Sequence, residues 1–136
     1  EESNRAMRHA ESDIQQTCLA WFRWQYPAYS KLLFAVPNGG ARSAVEASIM
    51  SGEGVLAGVA DVLLLVPSRK YHGLCMEFKR QAIRYVDGKR HVLKTYQSPA
   101  QKEWQAAVES VGYKYAVVRS LEEFINLINS YLNDLI

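Results

Sequence analysis

The chain has 136 residues, of which 49% are apolar, and a formal net charge of +2. That is apolar material enough for one domain spanning residues 1–136 with a real core, and the near-neutral charge singles out no partner by itself. No apolar run of about 18 residues or more is present, which excludes a membrane-spanning helix, and the polar N-terminus lacks the apolar core of a signal peptide. The cysteines, Cys18 and Cys75, stand far apart in apolar patterns. They read as reduced, buried thiols of a cytoplasmic protein, too few for a structural zinc site.

Residues 6–25 have a helical pattern. Met7, Ile14, Cys18 and Phe22 recur at helical spacing, and Glu11 falls on the same stripe, where a carboxylate needs a reason. Lys31 to Val36 predicts a short strand, Pro37-Asn38-Gly39-Gly40 a turn, and Ala41 to Met50 a short helix. A glycine-rich approach from Gly52 to Gly58 leads into strands near 60–66 and 73–79. Ser98-Pro99-Ala100-Gln101 carries a helix start, with Ser at the cap, Pro in the first turn and Gln three residues after the cap. Trp104, Ala107, Val108 and Val111 give that helix an apolar face, and Gly112 ends it. Tyr113 to Val118 follows as a strand. Ser120-Leu121-Glu122-Glu123 reads as a second capping box opening a helix to about Leu132. The order is that of an α/β sandwich, a mixed sheet with helices on its faces. Trp21, Trp24 and Trp104 read as core residues, and His9, His72 and His91 show no ligand spacing.

The most informative residues are Asp61 at the head of one strand and Glu77-Phe78-Lys79 at the end of the next. Strand side chains alternate, so Glu77 and Lys79 share a face while Met76 and Phe78 take the other. Antiparallel pairing would bring Asp61 beside Glu77. Two carboxylates and an ammonium at the end of an apolar sheet are expensive to bury unless a cation joins them. Beyond Lys79 the basic residues Arg80, Arg84, Lys89, Arg90 and Lys94 meet one acid, Asp87. Such a stretch attracts polyanions, or is a solvated, mobile loop that could turn as a hairpin at Asp87-Gly88. Each residue also has a plainer reading. Glu77 and Lys79 could form an edge-strand ion pair, Gln101 could serve the capping box alone, Asn38 could serve its turn, and Arg42 could be a surface arginine.

The series Asn38-Gly39, then Gly54 to Asp61, then Glu77-Phe78-Lys79, then Ser98-Pro99-Ala100-Gln101 resembles the virus-type replication-repair nuclease (VRR-NUC) domain of the PD-(D/E)XK superfamily, and Glu11-Ser12-Asp13-Ile14-Gln15 is similar to the acidic start of its first helix. The likeness extends over nearly the whole chain. Two departures are Ala60, where the family often has proline, and the basic insertion between Lys79 and Ser98. The resemblance implies a stand-alone domain with the restriction-endonuclease-like fold. It implies Mg²⁺, replaceable by Mn²⁺, held by Asp61, Glu77, the Phe78 backbone carbonyl and Glu11, the last directly or through water. Lys79 would be the catalytic lysine, and Gln101 would flank the site. Asn38, Arg42, Arg80, Arg84, Lys89, Arg90 and Lys94 would face DNA. The implied activity is structure-specific endonucleolytic cleavage of branched DNA, in particular four-way junctions cut by a homodimer, in a bacterial or phage-infected cell. A monomeric flap or end-processing nuclease, a catalytically silent DNA-binding module and an RNA-directed nuclease remain as alternatives. The apolar residues of the last helix, from Leu121 to Leu135, exceed one narrow stripe and suggest a second face for dimerisation.

Overall fold

A computed structural model describes residues 2–37, 43–94 and 96–136. The elements in chain order are α1 (Glu2–Gln25), a 3₁₀ helix (Pro27–Leu32), β1 (Leu33–Ala35), α2 (Ala44–Gly52), β2 (Val62–Leu64), β3 (Leu74–Phe78), β4 (Gln81–Val86), β5 (Lys89–Lys94), α3 (Pro99–Ser110), β6 (Lys114–Val118) and α4 (Leu121–Leu132). Strands β1, β2, β3 and β6 form one sheet in that order, and β4 and β5 form a separate ribbon. The β1–β2 and β2–β3 pairs are antiparallel, while β3 and β6 run parallel. This is the mixed sheet flanked by helices that the pattern predicts.

Alternation along β3 sorts the core into two layers. Leu74, Met76 and Phe78 join Cys18, Phe22, Phe124, Ile128 and Tyr131 in one cluster, so α1 and α4 cover that face. Cys75 lies in a second cluster with Ala60 and Tyr115, backed by Trp104 and Val108 of α3. An edge-on aromatic contact between Trp21 and Phe124, with ring centres 6.0 Å apart, ties α1 to α4. The Tyr131 hydroxyl donates to the Val66 carbonyl at 2.7 Å, giving that buried phenol its partner. Cys18 and Cys75 are free and buried, and burial pushes their thiols up to about 12 and about 11.

Several boundaries and faces differ from the sequence reading. Helix α1 begins at Glu2, since nothing in residues 2–6 breaks a helix. Pro27 opens a 3₁₀ helix that takes residues up to Leu32, leaving β1 only three residues. Trp24 is exposed: two positions beyond Phe22, it points away from the buried stripe. Ala107 and Val111 are exposed too, because α3 touches the sheet through Trp104 and Val108. At α4 only half of a capping box forms. Ser120 accepts from the Glu123 N–H, but the Glu123 carboxylate accepts from the Arg119 N–H. The apolar excess of α4 is largely used by the core. Phe124, Ile128 and Tyr131 are buried, Leu121, Leu127 and Leu132 pack against them, and Leu135 is exposed.

One backbone contact sets the entrance to β2. Gly58 has φ +87, and a Cβ placed there would lie 2.4 Å from the Ala100 carbonyl oxygen in the first turn of α3. No flexible side chain can yield, so Gly58→Ala must displace α3 and adopt a strained backbone. Gly54 has φ +101 but open space around it, so Gly54→Ala carries strain alone. In urea denaturation Gly58→Ala is expected to lose about 2–4 kcal/mol, and Gly54→Ala about 1 kcal/mol.

Candidate metal and catalytic site

The sheet delivers the singled-out residues to one end. The pairing Val62↔Met76, carried one step further, sets Asp61 opposite Glu77. The Phe78 N–H donates to Asp61 Oδ2 at 2.7 Å, fixing that carboxylate against the β3 end. The Asp61 carbonyl accepts from the Val36 N–H at 2.8 Å, so the residue is also tied to the chain leaving β1. The Lys79 N–H donates to the Val118 carbonyl at 3.0 Å, which carries the β3–β6 ladder past the end of β3 and places the lysine beside both acids.

Glu77 is the one charged residue in the core among the described residues, at 1% exposure. Neither of its carboxylate oxygens has a hydrogen-bond partner among the described residues. Burial pushes its carboxyl above the ordinary range. Lys79 pulls against that shift and Asp61 adds to it. Tyr115 and Gln97 also favour the charged form, yet neither meets hydrogen-bond geometry with either oxygen. Asp61 is raised as well, by burial first. The Phe78 N–H and Lys79 oppose that shift, and the Glu11 charge reinforces it.

Glu11 reaches the site from α1. Its Oε1 accepts from the Arg80 N–H at a long 3.4 Å. It shares with Asp61, Ser12, Gln15, Gln16 and Phe78 an open cleft of about 210 Å³. Asp61 also lines a larger groove of about 660 Å³ between the α2 end of the molecule and the start of α3, so the two clefts meet at this aspartate. Gln101 lines that groove beside Ser98 and Ala100. Its Oε1 accepts from the Ser98 N–H at 2.8 Å, within a complete capping box. The plain structural role of Gln101 is therefore present, and its position at the groove is compatible with a second. Asn38 and Arg42 lie outside the described residues. Arg84, Lys89 and Arg90 are exposed on the ribbon, Arg80 is half-buried at its root, and Lys94 is described by its backbone alone.

The donor set suits a hard divalent cation. A buried carboxylate without a hydrogen-bond donor is costly unless it is protonated or neutralised, and Glu77 is such a group. The Asp61 and Glu77 carboxylates and the Phe78 carbonyl are the oxygen ligands that Mg²⁺ and Mn²⁺ accept, with room for water in an open cleft. Among the described residues no three His, Cys, Asp or Glu side chains gather at metal-binding spacing. Asp61 and Glu77 stand opposite each other in the extended register, and the Glu11 charge acts on Asp61.

Two residues escape the sequence reading. Tyr115 pairs with Cys75 in the β3–β6 register while Val117 pairs with Glu77, which puts the tyrosine diagonally beside Glu77 on the α3 face. The Gln97 Nε2 donates to Gln105 Oε1 at 2.9 Å and to the Tyr115 hydroxyl at 3.3 Å. The available signal was a tyrosine at an inward β6 position, since a buried phenol needs a polar neighbour.

No protein-family model matches the chain, and no curated protein matches it. Among solved structures it is similar to a chain described as a VRR_NUC domain protein, at 24% identity and a TM-score of 0.72, over 91% of this chain and 88% of that one. That likeness establishes the shared fold expected from the motifs. Function must come from the site, since one fold hosts many activities.

The raised Glu77 pKa has a signed consequence. A carboxyl whose folded pKa lies above its unfolded value stabilises the protein below the ordinary carboxylate range, and this contribution is lost as pH rises through the folded value. In EDTA, Glu77→Gln should therefore gain stability, and hence Tm, relative to wild type as pH rises from acid to neutral, by about 1.4 kcal/mol of stability for each pH unit crossed within that window. The same variant should lose the Tm increase that Mn²⁺ gives the wild type. A pH-independent Tm difference would contradict the assignment of the buried charge.

Proposed function

We propose that this chain is a divalent-metal-dependent DNA endonuclease of the VRR-NUC type. The observation that carries the reading is the buried Glu77, whose carboxylate oxygens have no hydrogen-bond partner among the described residues, opposite an Asp61 that lines an open cleft, with the Lys79 charge acting on both. The shared fold supports it. Asp61, Glu77 and the Phe78 carbonyl would hold Mg²⁺ or Mn²⁺, with Glu11 joining directly or through water. A cation held there would supply a lowered pKa for water and would offset charge on a phosphodiester. The rest falls to the chain's own groups. The Phe78 N–H keeps Asp61 aimed at the cleft. Lys79 supplies a positive charge within reach of both acids, placed to orient or deprotonate the attacking water or to offset charge growing on the phosphate. Gln101 lines the groove through which the backbone would pass. Hydrolysis would leave 5′-phosphate and 3′-hydroxyl ends.

The substrate we infer is branched DNA, in particular a four-way junction, cut by a homodimer whose two-fold symmetry matches paired incisions. The structure moves the support for a second copy from α4 to α2. Val45 and Ile49, one helical turn apart, are 69% and 55% exposed, and Leu56 beyond the helix is 58% exposed. Helix α2 has no buried residue, and Val45 and Ile49 face away from the described core. The use of most α4 apolar residues by the core favours the second reading, a monomeric flap-processing nuclease. Free, buried cysteines suit the cytoplasm of a bacterial or phage-infected cell. Among the described residues no helix is long and apolar enough to cross a membrane.

Cleavage of a labelled four-way junction, a 5′ flap and a plain duplex, with Mg²⁺, Mn²⁺ or EDTA, tests the activity. Paired cuts across the junction that require the metal are expected. Asp61→Ala and Lys79→Ala should each lower turnover by about 10²-fold or more, while Lys79→Ala keeps the Mn²⁺-induced rise in Tm. Flap cutting without junction cutting would favour the monomer. Junction binding with no cleavage of any substrate would leave a silent binding module. For the dimer, light scattering at micromolar concentration should give twice the chain mass. Val45→Asp with Ile49→Asp should halve it, and a wild-type monomer would remove the dimer.

A further inference from the structure

The β4–β5 ribbon is the largest feature that the chemistry above leaves without a task. It leaves β3 directly: β4 begins at Gln81, two residues past Lys79. The strands pair antiparallel from Gln81↔Lys94 to Val86↔Lys89. Asp87 (φ 52) and Gly88 (φ 73) close them in a two-residue turn with both angles positive, the connection whose twist matches a hairpin. The ribbon is a sheet of its own, separate from the main sheet. A lone two-stranded hairpin is marginal in water, so this one gains from a partner.

The chemistry of that partner is written on the ribbon. Arg84, Tyr85, Val86, Lys89, Arg90 and His91 are exposed. The register puts Arg84 opposite His91 on one face and Tyr85 opposite Arg90 on the other, so both faces offer cationic groups, against the single acid Asp87 at the tip. A second copy of the same basic ribbon would repel this one. A regular polyanion would not. The length is also informative. A strand of 6 residues at about 3.3 Å each reaches roughly 20 Å from its root beside Lys79, which is the rise of about six base pairs.

We propose that the ribbon is a measuring arm that grips duplex DNA along the groove on one side of the cutting site and makes tight binding depend on about six base pairs of continuous duplex there. This rests on the nuclease reading for the position of the cut, but not for the grip itself. The arm would give the site a preference for a junction or flap with an intact duplex arm over a short or single-stranded end.

The test is binding in EDTA, where no cleavage occurs, by fluorescence anisotropy on forks whose duplex arm grows from 2 to about 14 base pairs, at several salt concentrations. Wild-type affinity should rise with arm length and level off once the arm exceeds the ribbon's reach. The triple variant Arg84→Ala, Lys89→Ala, Arg90→Ala should bind long arms about 10- to 100-fold more weakly and lose up to about three units of the log–log salt slope. Its unchanged Tm and unchanged binding to the shortest arm would show that the main sheet and cleft are intact. Equal affinity and slope in variant and wild type would overturn the proposal. So would displacement of the duplex by polyglutamate at equal charge concentration, or a change of oligomeric state in the variant. Failure of cleavage alongside arm-length-dependent binding would sink the nuclease reading and leave the arm standing. Cleavage with binding indifferent to arm length would do the reverse.

Discussion

A carboxylate inside a central strand constrains everything around it. Strand β3 lies between β2 and β6 and is buried along its whole length, and both of its faces are covered by helices. Four of its five side chains are apolar and need no further explanation. Glu77 does, because burial opposes its charge and neither oxygen has a hydrogen bond of normal geometry among the described residues. The neighbouring features follow from that position. Asp61 is pinned against the same strand end by the Phe78 N–H, Lys79 brings a positive charge that acts on Glu77, and Tyr115 with Gln97 lies beside Glu77 on the α3 side. Two buried carboxylates with raised pKa values cost stability when both are charged, and under the proposed function a bound cation would offset that cost.

The scaffold turns that local cost into an accessible site. Gly58 docks on the backbone of Ala100, which brings the glycine-rich approach against the start of α3 and leaves Asp61 where two clefts meet. One cleft runs toward Glu11 on α1, the other toward α2 and the capping box of α3. An extended backbone crossing the sheet end would therefore pass between elements fixed by the core. The ribbon that begins two residues past Lys79 and helix α2, which has no buried residue, contribute nothing to that core.

What was legible in the sequence was what depends on period and cap chemistry. Alternation put Glu77 and Phe78 on opposite faces and Ser98 with Gln101 announced α3, both as found, whereas the element order read from the sequence had no strands between Lys79 and Ser98, where the structure has β4 and β5. The pairing of Asp61 with Glu77 was also readable, because an aspartate heading one strand and a glutamate ending the next meet when the strands run antiparallel. Long-range packing was not. Trp24 looks like core by composition, but its angle on the helix turns it outward. The apolar surplus of α4 looks like an interface until the sheet, α1 and the 3₁₀ segment are seen to use it. Tyr115 gains its place only from the parallel register with β3, which joins residues that a whole helix separates in sequence.

The central claim is that Glu77 and Asp61 share a divalent cation. Diffraction from crystals grown with Mn²⁺, collected at the manganese edge, tests it most directly. The account predicts one anomalous peak within about 2.5 Å of a carboxylate oxygen of each residue and of the Phe78 carbonyl. An empty position there, with the Glu77 carboxylate hydrogen-bonded to protein groups, would contradict it.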